Sequence, residues 1–243
     1  MRSPKDSICF RLIKAIYYEY TDFIERTPKL KFKPWMKHKE ISIIRNILKT
    51  LKPKRCLEWG AGFSSLYFPD YLENGSKWFS IEHDLAWFNE IKALNQNPKC
   101  EFFYVKPNHF PWTDEYNDGG FTDLRDYLSF PNELGGKFDF ILIDGRARNY
   151  CLVASRKLIE NKGIVVLHDA NRSYYKYSNL FKYALVFRDS RKNEGGIMLG
   201  SPGFPSEKNP NIDKDYQVWY WINSLADCCF IKTVLSLLPV DSH

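Results

Sequence analysis

Four short stretches carry side chains able to do chemistry. In "RCLEWGAGFSS", Glu58 stands two residues before a Gly60-Ala61-Gly62 turn, with Ser64 and Ser65 just beyond it. In "SIEHD", Glu82 and His83 follow a short apolar run. "FDFILIDGRARNY" brings Asp144 and Gly145 to the end of another such run, with Arg146 and Arg148 behind them. "GIVVLHDANR" sets His168 beside Asp169. Glycines at a strand end let bare backbone N–H groups approach a ligand. An acid ending the next strand can accept hydrogen bonds from ribose hydroxyls. Asp144, His168 and Asp169 are candidates to take a proton from an acceptor. Arg146 and Arg148 are candidates to grip a carboxylate or phosphate of a substrate.

The surrounding elements place these groups together. Apolar residues at helical spacing predict helices over 7–26 and 37–51. From Arg55 the chain alternates. Strands are predicted at 55–59, 77–82, 100–105, 138–144 and 163–169, with helices at 64–73, 86–95 and 148–160 and a short helix after Asp169. "YALVFRD" and "GGIMLGSP" flank a charged turn and predict an antiparallel hairpin. The expected fold class is α/β, an open, doubly wound, mainly parallel sheet with N-terminal helices. Three regions follow from this: an N-terminal helical cap over 1–54, a Rossmann-like domain over 55–200 and a C-terminal extension over 201–243. Residues 106–136 are too long for a plain crossover and rich in aromatics, and are expected to form a lid or acceptor-site wall.

In such sheets ligands sit beyond the carboxyl ends of the strands. Gly60, Gly62 and Glu82 fall there, a placement that suits NAD and S-adenosylmethionine alike. Three details separate the two. Ser65 stands where a dinucleotide fingerprint expects its third glycine. Glu58 is badly placed against a pyrophosphate and suits a cationic ligand. No lysine follows the glycines, so a P-loop is excluded.

With these motifs in this order, residues 55–200 resemble the class I S-adenosylmethionine-dependent methyltransferases. The resemblance implies a seven-stranded sheet whose last strand is inserted antiparallel. It implies that Glu58, Gly60, Ala61 and Gly62, with Ser64 and Ser65, hold the methionine portion of the cofactor. Glu82 would hold the ribose, His83 would flank the adenine, and Asp144 and Gly145 would complete the site. The implied activity is methyl transfer to a small-molecule acceptor through oxygen, with nitrogen open; an NAD-type oxidoreductase or a non-catalytic binding module are the alternatives. Metal-dependent catechol-like members place an Asp after the fourth strand and an Asp-Asn pair after the fifth. Asp144 and Asp169 match that pattern, but Ala170 stands where the Asn is expected, which argues against a divalent metal.

The whole chain agrees with a globular enzyme. Its 243 residues suffice for one sizeable core. No run approaches the ~18 apolar residues of a membrane span, and no secretory signal is recognisable. Six scattered cysteines without a C-x-x-C pair suit a reducing cytoplasm. Residues 1–55 carry a balance of +10 and the remainder −4. That basic segment, the two arginines and the aromatics favour an anionic or aromatic acceptor. No nucleic-acid-binding motif is present.

Overall fold

The computed structural model describes residues 32–177, 180–188 and 194–203. The helix expected at 7–26, the hairpin turn at 189–193 and the chain beyond 203 lie outside them. Every element below belongs to the unit Pro34–Ile212.

Helix α1 (His38–Leu51) follows its sequence pattern, burying Ile41, Ile43, Ile44, Ile47 and Leu48 on one face. It ends where Lys52 turns into the left-handed region ahead of Pro53. Strand β1 (Arg55–Trp59) leads through the glycine turn into α2 (Phe63–Tyr67), and β2 (Lys77–Glu82) leads into α3 (Leu85–Leu94). Then come β3 (Cys100–Tyr104), α4 (Arg125–Ser129), β4 (Phe138–Ile143), α5 (Arg148–Leu158), β5 (Ile159–His168), β6 (Tyr183–Phe187) and β7 (Ile197–Ser201).

The seven strands lie in the order β3-β2-β1-β4-β5-β7-β6. The first five run parallel, while β7 is antiparallel to both β5 and β6. The central strands are covered on both faces, so they read as nearly unbroken apolar runs; Leu57, Ile141 and Val165 on one face and Cys56, Phe140, Leu142 and Val166 on the other are all fully buried. The β1–β4 pairing is pinned at its start by Asp139, whose carboxylate accepts the amides of Lys54 (2.8 Å) and Arg55 (2.9 Å).

Four expectations need correction. The helix predicted over 64–73 is only five residues long, because Pro69 turns its continuation into a 3-10 segment, Phe68–Tyr71. β5 starts four residues early, since α5 runs straight into it. No helix follows Asp169; a turn does, with Asp169 itself at φ 56°. Residues 106–136 are not a wall of the cleft described below. They fold down to supply α4 and send Leu124, Tyr127 and Leu128 into the main core.

Candidate active site

The carboxyl ends of β1, β2 and β4 open onto a cleft of about 500 Å³. Its floor is backbone. Gly60 has φ +94°, and a Cβ there would collide with Gly145, so the turns after β1 and β4 touch directly. Gly60, Ala61, Gly62 and Ser64 line one side, and Asp144, Gly145 and Arg146 the other.

Glu58 lies beneath this floor and does not line the cleft. It is fully buried and accepts hydrogen bonds from Ser64, from Ser65 (2.5 Å), from Ser80 (2.6 Å) and from the Trp78 indole (2.8 Å). Ser65 also accepts the Gly62 amide at 3.1 Å. Glu58 and Ser65 therefore shape the turn from below. Burial pushes the Glu58 carboxyl up to about 7 against the pull of these four donors. An acid whose pKa rises on folding favours the fold below its unfolded value of 4.5 and loses that contribution as pH climbs through about 7. We expect native stability to fall across that interval, and the Glu58→Gln variant to show a flatter slope. Denaturant titrations at pH 5, 6, 7 and 8 measure it, and parallel slopes would count against the assignment.

Glu82 ends β2 with its carboxylate in the cleft lining, only 3% exposed. Its Oε1 accepts the amides of His83 (2.7 Å) and Asp84 (2.8 Å), which holds the side chain in one pose. Asp84 caps α3 through the Trp87 amide (2.9 Å) and also lines the cleft. His83 lines it too, with Tyr127 edge-on at 5.7 Å and Trp112 at 5.5 Å.

At the ends of β4 and β5 lies a buried charge cluster. His168 Nδ1 is 2.8 Å from Asp144 Oδ1, and Nε2 is 3.3 Å from Glu40 Oε2. Although burial opposes its charge, Asp144, Glu40 and Asp169 raise His168 to about 10. Both ring nitrogens are turned to carboxylates, and the side chain is not among the residues lining the cleft. The base expected at His168 is corrected on that ground. Asp169 also stays out of the cleft lining, accepting Arg172 (2.7 Å) and the Gly195 amide (2.7 Å). Asp144 does line the cleft; burial works against its charge, but His168 and Arg148 hold it below the usual carboxylate range.

Arg148 borders the cleft yet has no donor to spare. Nε serves the Gly145 carbonyl (2.9 Å), Nη1 the His168 carbonyl (2.9 Å) and Asp169 (3.4 Å), and Nη2 the Asp144 carbonyl (3.1 Å) and carboxylate (3.3 Å). The substrate role expected of it is corrected: it ties the ends of β4 and β5 together. The Arg146 guanidinium, by contrast, makes one bond among the described residues, to the Asn117 carbonyl at 3.4 Å.

A metal between Asp144 and Asp169 does not fit. Both carboxylates are already neutralised by Arg148, Arg172 and His168, and Ala170 supplies no oxygen. No group of side chains suited to a metal ion occurs among the described residues.

Sequence reading missed Glu40, Arg172, Trp35, Phe63 and Trp87. The last four line the cleft, and Glu40 anchors α1 beside it. An acid within an amphipathic helix carries no signal of what it meets; Trp35 and Trp87 lie outside the glycine and acid motifs, and Phe63, inside the glycine motif, was passed over for its neighbours.

No family model and no curated protein sequence matches the chain. Among solved structures, a methyltransferase-like protein from Silicibacter pomeroyi is similar, with 20% identity and a TM-score of 0.51 over 76% of this chain and 96% of that one. The chain shares the fold of that protein. An O-methyltransferase from Bacillus cereus in complex with SAH (16% identity, TM-score 0.48, 68% of this chain and 82% of that one) lies further off. So does the O-methyltransferase TomG from Streptomyces achromogenes in complex with SAM (12%, 0.49, 69% and 82%). In this methyltransferase-like fold the antiparallel β7, seated between β5 and β6, departs from the dinucleotide-binding order 3-2-1-4-5-6.

Proposed function

We propose that the protein transfers a methyl group from S-adenosylmethionine to an oxygen of a small-molecule acceptor. One observation carries the reading: the buried, pre-set carboxylate of Glu82 shares a cleft with the bare Gly60–Gly62 backbone. That pairing suits a ribose beside a chain needing close backbone approach. It suits a pyrophosphate poorly, because α2 is one short turn, the Gly62 amide is spent on Ser65 and the acid Glu58 lies behind it.

In this reading Gly60, Ala61, Gly62 and Ser64 receive the methionine portion, with Glu58 and Ser65 shaping their turn. Glu82 takes the ribose hydroxyls, His83 flanks the adenine, and Gly145 keeps the floor low. The sulfonium supplies the activated methyl, so the protein's task is to align the acceptor and exclude water. Asp144, ionised and facing the cleft, orients the acceptor hydroxyl and draws its proton. Arg146 meets an anionic group on the acceptor.

Calorimetric titration with S-adenosylmethionine, S-adenosylhomocysteine and NAD, with and without Mg²⁺, tests the reading. Micromolar binding of the two sulfur ligands, without NAD and without a metal requirement, is the expected result. Binding of NAD alone would overturn it.

A further inference from the structure

Trp35, just ahead of α1, is 77% exposed. Its ring lies 5.6 Å from Phe63 and 5.5 Å from Trp87, and Phe63 and Trp87 are 5.8 Å apart. All three line the cleft, so they form one continuous aromatic wall.

The wall is held in place on both sides. The Trp87 indole donates to the Ala61 carbonyl at 2.7 Å, which fixes it to the glycine turn. The segment carrying Trp35 turns through a Met36 amide bond to the Pro34 carbonyl (2.7 Å). It then enters α1, whose Glu40 accepts the Lys37 amide (2.8 Å) and the Gly196 amide (2.6 Å). A ligand meeting this wall finds the Trp87 ring already fixed, which lowers the cost of binding.

The electrostatics of the surroundings favour a cation. Aromatic faces are electron-rich and attract positive charge. Glu82, Asp84 and Asp144 line the same cleft. Of the three arginines there, Arg148 is saturated by carbonyl and carboxylate oxygens, Arg172 is spent on Asp169 and the hydroxyls of Tyr174 and Tyr175, and Arg146 lies with Asp144 and Gly145 across the cleft from the glycine turn that the wall adjoins. The aromatic wall also adjoins the turn to which the methionine portion is assigned.

Resting on the methyltransferase reading, we infer that the Trp35–Phe63–Trp87 wall holds the sulfonium end of S-adenosylmethionine by cation–π attraction, and so favours the charged cofactor over its neutral product. On transfer the methyl–sulfur bond breaks with its electron pair left on sulfur. The acceptor oxygen gains the methyl and gives up its proton to the Asp144 carboxylate that faces it in this reading, and sulfur becomes a neutral thioether. The attraction to the wall then disappears, which speeds product release.

The test compares S-adenosylmethionine, S-adenosylhomocysteine and sinefungin, whose protonated amine carries a positive charge near the sulfonium position, by calorimetry on native protein and on Trp35→Ala and Trp35→Phe. Trp35→Ala is expected to weaken the two cationic ligands about 10-fold and the neutral one less than about 3-fold, with Trp35→Phe between native and Ala. Equal weakening of all three, or of none, would overturn the inference while leaving the cofactor assignment standing. Native protein that binds none of them would instead overturn the methyltransferase reading from which the inference starts. Thermal midpoints of the variants confirm that each is folded.

Discussion

Replacing Glu82 by alanine is expected to weaken binding of S-adenosylhomocysteine about 100-fold, the loss of two charge-assisted hydrogen bonds from a buried carboxylate. The neutral product is the better probe here, because any effect of cofactor charge is removed. Glu82 is 3% exposed and held by the His83 and Asp84 amides, so its pose exists before ligand arrives. Glu82→Gln keeps an acceptor for those amides but loses the charge, and a drop of about 10-fold is expected. Calorimetry gives both values directly. Affinity of the Ala variant within about 3-fold of native would remove Glu82 from the ribose site.

The second large effect concerns stability. His168→Ala is expected to lower the unfolding free energy by about 3–5 kcal/mol near neutral pH, because it strips the central cation from Glu40, Asp144 and Asp169. The effect carries a pH signature. His168 goes from 6.5 unfolded to about 10 folded, so the native state binds the extra proton between those values. Its contribution is fully present below about pH 6.5 and is lost as pH rises through about 10. Urea midpoints at pH 6.5, 8 and 9.5 should therefore fall for native protein and change less for the variant. Matching pH dependence in the two would show that His168 is not the charged centre of the cluster.

Much of this was legible in the chain. β1 and β2 could be bounded to the residue, because apolar runs buried on both faces stop at a glycine turn or at an acid. The glycine turn and Glu82 could be placed at one cleft for the same reason: topology sends strand ends to one edge of the sheet. What the sequence hid was direction. Glu82 is the last residue of its strand and Glu58 the last but one, yet Glu58 lies beneath the floor and Glu82 lines the cleft. Arg146 and Arg148 are two residues apart, yet one is nearly unbonded and the other spends its guanidinium on the ends of two strands. His168 beside Asp169 looked like a base because the third and fourth partners, Glu40 and Asp144, come from distant parts of the chain. Residues 106–136 looked like a lid because their aromatics gave no sign that Tyr127 would be core while Phe110 stays 70% exposed.

The bonds of Glu40 have a consequence for how the molecule is made. Its partners lie 128 residues away at His168 and 156 away at Gly196. Such contacts close late, since chain entropy must be spent before they form. During synthesis, α1 and the parallel strands emerge first. Glu40 then has His168 in reach but lacks the Gly196 amide until β7 has slid in between β5 and β6. Assembly of the cleft's charged edge is thereby a check on completeness: a nascent chain halted before β7 would carry every motif of the site and still lack the closure that sets them in register.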